Sequence, residues 1–261
     1  MDQIRVTLPD GKAVDVHSGT RVEELAARAG VKRGIVAAKV NGRLVDLSRE
    51  LDQDATLEWV FPESAEGLDT LRHSAAHLMA QAVQSLFPGT QVTIGPTIEN
   101  GFYYDFKRDQ PFSPEELEQI EKRMQELAQA DLKIVREELP RAEAMELFRK
   151  MGEHYKVEVI EGIAEDKVSL YRQGDWVDLC RGPHVPSTAA IKAFKLTSVA
   201  GAYWRGDSRN EQLQRIYGTA WANRKDLDAH LKRIEEAKQR DHRRLGPALD
   251  LFSLHPIAPG S

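Results

Sequence analysis

Two turn signals in the first 60 residues restrict what this chain can fold into more than any other feature. Pro9-Asp10-Gly11-Lys12 separates an alternating run, Ile4, Val6 and Leu8, from a returning one at Ala13, Val14 and Val16. Asn41-Gly42 separates residues 36–40 from 43–47, and Asn-Gly is the dipeptide that supplies two left-handed residues to a tight hairpin. Between the hairpins Thr20 is placed to cap a helix over residues 23–29, with Gly30 as its stop. Strand, strand, helix, strand, strand in so short a span describes a small β-grasp sheet. Modules of this kind bind a partner more often than they catalyse, and His17 is the single imidazole in the stretch.

The polar segment Phe61-Pro62-Glu63-Ser64-Ala65-Glu66-Gly67 reads as a linker. Beyond it helical and strand patterns mix up to Trp221. A helix is predicted over residues 69–87. Ser113-Pro114-Glu115-Glu116 forms a capping box with proline at the first helical position, followed by Leu117, Ile120, Met124 and Leu127 at helical spacing. Pro140 opens a further helix that carries Ala144, Leu147, Phe148 and Met151 on one face and stops at Gly152. Residues 155–160, 176–180, 193–199 and 213–221 read as strands, which gives an α+β domain around a largely antiparallel sheet. The expected plan is a β-grasp domain over 1–62, an α+β domain over 63–223, a basic connecting helix over 224–246 and a tail over 247–261.

Length and charge narrow the function classes. At about 150 residues per domain, 261 residues accommodate two domains whose cores need no disulfide. The single cysteine, Cys180, cannot form one within the chain, and it fits a reducing compartment. No signal-peptide pattern opens the sequence, and no apolar run approaches the ~18 residues of a membrane span. A cytoplasmic, soluble protein without a membrane partner is expected. The net charge of −5 argues against a general nucleic-acid binder, but eight Lys/Arg against five Asp/Glu over residues 224–244 place a basic helix on an acidic body. That helix suits a phosphate backbone along one edge, and equally a solvated face.

Histidines supply the candidate chemistry. His73 and His77 lie four apart on the predicted helix and share a face. The apolar stripe of Leu71, Ala75, Leu78, Ala82 and Leu86 lies on the other side, so the pair is either exposed on the surface or directed into a site. Asp178-Leu179-Cys180-Arg181-Gly182-Pro183-His184 follows a strand pattern that points Trp176, Asp178 and Cys180 to one face. Gly182-Pro183 then ends the strand and is able to fold His184 back beside Cys180. Taken alone this is either a site or a buried cysteine next to a turn histidine. Together the two motifs offer three imidazoles and a thiol, a set suited to tetrahedral zinc or to a metal-free site rich in donors and acceptors. His-Glu-x-x-His is absent because Ser74 follows His73, and neither a Gly-x-Ser-x-Gly elbow nor a phosphate-cradling glycine loop occurs. Lys156 falls opposite Tyr155, Val157 and Val159 on its predicted strand, either facing solvent or holding an anionic oxygen or a water. Asn100-Gly101 signals a type I′ hairpin leading into the aromatic run Phe102-Tyr103-Tyr104.

These segments carry a family resemblance. Gly95-Pro96-Thr97-Ile98-Glu99-Asn100-Gly101-Phe102-Tyr103-Tyr104-Asp105, His73-Ser74-Ala75-Ala76-His77 and the Asp178–His184 run resemble bacterial threonyl-tRNA synthetases. So do Gly201-Ala202-Tyr203-Trp204-Arg205-Gly206-Asp207, residues 214–221 and Arg240-Asp241-His242-Arg243-Arg244-Leu245-Gly246, the last resembling the family's connecting helix. The first section resembles its TGS domain. The resemblance implies the amino-terminal editing portion, without the class II core that holds ATP, threonine and the family's zinc, and without the anticodon-binding domain. It further implies hydrolysis of serine mistakenly esterified to tRNA(Thr), with the acceptor end of that tRNA as partner. Serine differs from threonine by one methyl group, worth only ~1–3 kcal/mol in a pocket, so a second sieve is needed.

Carried onto this sequence, the editing pocket falls on His73, His77, Lys156, Asp178, Cys180 and His184. His73 and Lys156 are expected to position or activate the attacking water. Asp178 suits the substrate's ammonium group, while His77, Cys180 and His184 line the pocket. Tyr104 and Gly95 are expected as walls near the terminal adenosine. Hydrolysis without a cofactor is expected, the alternatives being zinc on His73, His77, Cys180 and His184, as in the related alanyl-tRNA deacylases, or a tRNA-binding module with a silent pocket. The dimerisation core of the resembled family has no counterpart here, which is compatible with a monomer.

Overall fold

The computed structural model describes residues 2–31 and 34–240. They fall into a compact unit that runs through Ala222 and a second that begins at Asn223.

In the amino-terminal sheet β1 (Gln3–Thr7) turns at Gly11 into β2 (Ala13–His17). β3 (Thr20–Arg21) leads into α1 (Val22–Arg28). β4 (Ala37–Val40) and β5 (Arg43–Val45) are joined by Asn41 and Gly42 at φ of 51° and 78°, the two left-handed residues that the dipeptide promised. β6 (Glu50–Leu51) pairs with β3, and β7 (Ala55–Val60) closes the sheet in the order β2-β1-β7-β4-β5, with β1 and β7 parallel. Ile4, Val6, Val16, Val22, Leu25 and Leu57 fill a core between the sheet and α1. Thr20 does not cap α1. Its strand pairing with β6 turns its hydroxyl back, and it donates instead to the His17 carbonyl at 2.7 Å.

α2 (Ala65–Leu86) starts inside the stretch expected to be a linker, because Ser64 Oγ accepts from the Gly67 amide at 3.0 Å and caps it. Val36, Ala37 and Val60 join the same core as Leu71 and Ala75, so the chain passes from sheet to helix with no free spacer. β8 (Gln91–Val92), β9 (Thr97–Ile98) and β10 (Gly101–Lys107) follow. β9 and β10 form a hairpin in which Ile98 faces Gly101, so its turn residues are Glu99 and Asn100, neither at positive φ. The hairpin turn is therefore one residue earlier than Asn100-Gly101, and the expected type I′ geometry is not formed. Gly101 serves a different need, since a Cβ there would lie 2.2 Å from the Gly218 carbonyl oxygen.

α3 (Pro114–Gln129) carries the predicted capping box on Ser113 and Glu116. β11 (Ile134–Pro140), α4 (Arg141–Met151), α5 (His154–Glu161), β12 (Lys167–Gln173) and β13 (Trp176–Leu179) come next, then β14 (Ala193–Tyr203) and β15 (Gln212–Trp221). β14-β15-β10-β8 form one antiparallel sheet and β11-β12-β13 another. α2 packs against β10 and β15 and, on another side, against α3. α6 (Arg224–Gln239) belongs to the second unit. The connecting helix expected to continue to residue 246, and the tail over 247–261, lie outside the described residues beyond 240.

Residues 155–160 are helical and not a strand. Tyr155, Val157 and Val159 alternate and are rich in β-branching, which favours a strand locally. Gly152 ends α4 at φ 78°, however, and Tyr155, Lys156, Val157 and Ile160 are all buried, a demand that a helix packed on two sides meets. Tertiary packing overrides local propensity here.

Candidate active site

α2 delivers His73 and His77 from the side opposite its apolar stripe, and Ser74 from the flank beside them. That side is not exposed, because β13 and the turn after it cover it: His77 is 5% exposed and Ser74 fully buried. The reading of two surface histidines is thus overturned. β13 presents Asp178 inward from its central position opposite Tyr171 of β12. Past β13, Gly182-Pro183 reverses the chain and brings His184 beside Cys180, as the motif implied. His184 Nε2 lies 3.3 Å from Cys180 Sγ, His73 Nε2 lies 3.1 Å from the same sulfur on its other side, and the Gly182 amide donates to it at 3.3 Å. The three imidazole rings stand 4.3–5.2 Å apart between centroids.

Lys156 enters from α5, buried and not solvent-facing. Its Nζ is 2.5 Å from Asp178 Oδ1 and donates to Tyr104 Oη at 2.9 Å. The Tyr104 hydroxyl in turn donates to Asp178 Oδ2 at 2.6 Å, the Leu179 amide donates to Oδ1 at 2.8 Å, and His77 Nδ1 stands 3.4 Å from Oδ2. Removing an ammonium and a carboxylate from water is costly unless the remaining hydrogen-bond capacity is met. Here Lys156, Tyr104 and the Leu179 amide engage three of the carboxylate's roughly four acceptor positions, and the fourth faces His77. Tyr104 lies in the core, stacked on Phe106 and covered by Gly95, whose position admits no side chain because a Cβ would come within 2.2 Å of the tyrosine ring.

The other half of the site is uncharged at neutral pH. Burial lowers the pKa of His73 and takes those of His77 and His184 well below the ordinary imidazole value. Burial also pushes the Cys180 thiol up to about 12. One sulfur proton between two imidazole nitrogens means that one ring takes the S–H while the other donates its own N–H to sulfur. Ser74 extends this chain: its Oγ is 3.0 Å from His184 Nδ1, donates to the Thr70 carbonyl at 2.8 Å and accepts from the Val185 amide at 3.0 Å. His73 and Cys180 are only half-buried, so they form the open edge of the set.

The donor atoms of His73, His77, Cys180 and His184 all lie within 4.8 Å of one another, so this cluster is able to hold a metal ion. Three imidazoles and a thiol suit zinc, which would place ligand atoms about 3.5 Å apart around it. The separations of 3.1 and 3.3 Å at sulfur are hydrogen-bond lengths and lie close to that spacing.

Three contributors escaped sequence reasoning. Ser74 sits between the two histidines, and its neighbours alone marked it. Tyr171 packs edge-on to His184 at 4.4 Å between centroids. Asp46, from the loop after β5, accepts from the His184 amide at 2.8 Å and from the Tyr171 hydroxyl at 2.7 Å, across 138 and 125 residues of sequence that no local pattern bridges.

Comparison with known proteins places two families along the chain. Residues 4–60 match the TGS domain family. Residues 168–217 match the family described as threonyl and alanyl tRNA synthetase second additional domain, a stretch that contains Asp178, Cys180 and His184. Relatives include the threonine–tRNA ligases of Citrifermentans bemidjiense, 58% identical over 257 residues, of Geobacter sp. strain M21, 59% identical over 257, and of Hahella chejuensis, 58% identical over 258. Each alignment covers 98% of this chain and 40% of the relative's length. No helix among the described residues is long and apolar enough to cross a membrane. The chain therefore carries a TGS domain and a threonyl/alanyl-tRNA synthetase second additional domain, and it is related along nearly its whole length to a part of threonine–tRNA ligases.

Proposed function

We propose that this site hydrolyses the ester of serine mischarged onto tRNA(Thr). The observation that carries the reading is the meeting of a buried, hydrogen-bonded Lys156–Asp178–Tyr104 group with neutral imidazoles at a half-open edge. An ester is cleaved by water when a base removes the water's proton and positive charge or donors receive the carbonyl's growing negative charge. His73, neutral and at the open edge, is the base. Lys156, fixed by Asp178 and Tyr104, orients the water and stabilises the oxyanion. The ribose hydroxyl then leaves with a proton, and free serine departs. Because Asp178 already accepts from Lys156, Tyr104 and Leu179, an incoming ammonium takes the side now facing His77, where its contact is longest at 3.4 Å. His77, Cys180 and His184 complete the wall against which threonine's extra methyl is excluded, while Gly95 and Tyr104 back the side assigned to the terminal adenosine. The tRNA is the partner, reached through its acceptor end, and the names of the relatives support tRNA(Thr) as its identity.

The hydrolysis proceeds without a metal, with the imidazoles and thiol acting as hydrogen-bonding groups. The close donor cluster favours a second reading, in which zinc on the same four residues would act as a Lewis acid. Incubating the chain with Ser-tRNA(Thr) and with Thr-tRNA(Thr), beside His73→Ala, tests the proposal. Selective loss of the seryl ester, reduced about 100-fold or more in the variant, supports it. Equal rates for both esters would remove the sieve against threonine, and no loss above background would leave a tRNA-binding module in its place.

A further inference from the structure

We infer that Asp46, supplied by the β-grasp sheet, is a positioning residue for His184 in the site. This rests on the hydrolytic reading of that site. The two carboxylate oxygens of Asp46 hold the two walls of one turn. Oδ1 accepts from the His184 amide at 2.8 Å, and Oδ2 accepts from the Tyr171 hydroxyl at 2.7 Å. Tyr171 then braces the turn from below. Its hydroxyl fills the space where a Cβ on Gly182 would fall, 1.8 Å away, and its ring meets the His184 ring at 4.4 Å. Gly182 itself, at φ 72°, donates to Cys180 Sγ. The turn that sets the Cys180–His184 distance is thereby fastened from a different sheet, 138 residues earlier in the chain. Asp46 touches none of the groups assigned to the water or the ester, so it acts through His184, directly at its amide and by way of Tyr171. A carboxylate used at both oxygens, on one backbone donor and one hydroxyl, fixes orientation as well as distance.

A different link of the same sheet provides the control. Lys39 of β4 pairs with Glu66 of α2 at 2.7 Å on the surface, without touching the site. The experiment compares Asp46→Ala, Asp46→Asn, Tyr171→Phe and Lys39→Ala in the full chain, reading deacylation of Ser-tRNA(Thr) and the nitrogen-15 signals of the His184 ring. Asp46→Ala is expected to lower kcat about 100-fold with KM nearly unchanged and to shift the His184 ring signals. Asp46→Asn, which keeps an oxygen for the His184 amide, restores most of both, and Lys39→Ala changes neither. Unaltered His184 signals and kcat in a folded Asp46→Ala would overturn the inference and leave Asp46 as a simple fastener between sheets. Equal effects from Lys39→Ala would do the same. Should Asp46→Ala fail to fold, Asp46→Asn and Tyr171→Phe carry the comparison. The ring signals decide the matter even if the wild type does not hydrolyse seryl-tRNA, which separates this inference from the reading beneath it.

Discussion

On one side of the site Lys156 and Asp178 keep a full ion pair away from water, whereas across the 3.4 Å contact from Asp178 to His77 the imidazoles and the thiol are all uncharged. The first group is buried: the carboxylate accepts from Lys156, Tyr104 and the Leu179 amide, and its tyrosine is walled in by Gly95 and Phe106. The second group reaches the surface at His73 and Cys180 and is linked by hydrogen bonds through Ser74, His184, Cys180 and His73. Charge is thus concentrated in the buried half, and the neutral groups lie at the half-open edge. Such a division lets a general base remain neutral at physiological pH while a fixed cation stays beside it.

The contrast predicts unequal costs for unequal losses. Replacing Asp178 by Asn leaves a buried ammonium without its counter-charge and should destabilise the fold by about 3–5 kcal/mol, read as a lowered urea midpoint. The double variant Lys156→Met/Asp178→Leu should recover much of that loss, since it strands no charge. A double variant as unstable as Asp178→Asn would show that hydrogen bonds, and not charge, hold this half together.

The neutral half should reveal itself in acid. His73, His77 and His184 have folded-state pKa values below the unfolded value near 6.5, so the unfolded chain takes up their protons first. Stability is therefore unaffected above pH 6.5 and falls as pH drops below it, by about 1.4 kcal/mol per pH unit for each imidazole still neutral. Urea midpoints at pH 7.5 and 5.5 measure this, and His77→Gln should make the difference smaller. A midpoint that rose on acidification would mean the imidazoles are charged in the folded protein. The smallest effect is expected from Cys180→Ala, about 1 kcal/mol, because it removes a weak neutral partner at a half-open position. A loss as large as that of Asp178→Asn would erase the distinction between the halves.

Legibility in the sequence followed the range of the interactions. The Asn41-Gly42 hairpin, the Ser113–Glu116 capping box and the Gly182-Pro183 reversal depend on neighbours and could be read directly. So could the pairing of His73 with His77, because helical spacing fixes which side chains share a face, and the return of His184 toward Cys180 after Gly182-Pro183. Periodicity could not say whether the histidine face was covered, since that depends on β13 and the following turn, a hundred residues away. Lys156 was misjudged for a related reason: alternating Tyr155, Val157 and Val159 imitate a strand, and only packing on two sides selects the helix. Asp46 was invisible, because its partners are a backbone amide and a tyrosine that sequence gives no cause to place beside it.

The most direct measurement is the pH dependence of Ser-tRNA(Thr) deacylation by chelator-treated protein between pH 5 and pH 8, with the His73→Ala background subtracted. An imidazole whose pKa is lowered by burial acts in its neutral form, so the rate should level off at a lower pH than a free imidazole would give and decline in more acidic solution, with no gain on adding zinc. A rate abolished by chelation and restored by zinc, or one still climbing above pH 7, would contradict a neutral His73 as the base.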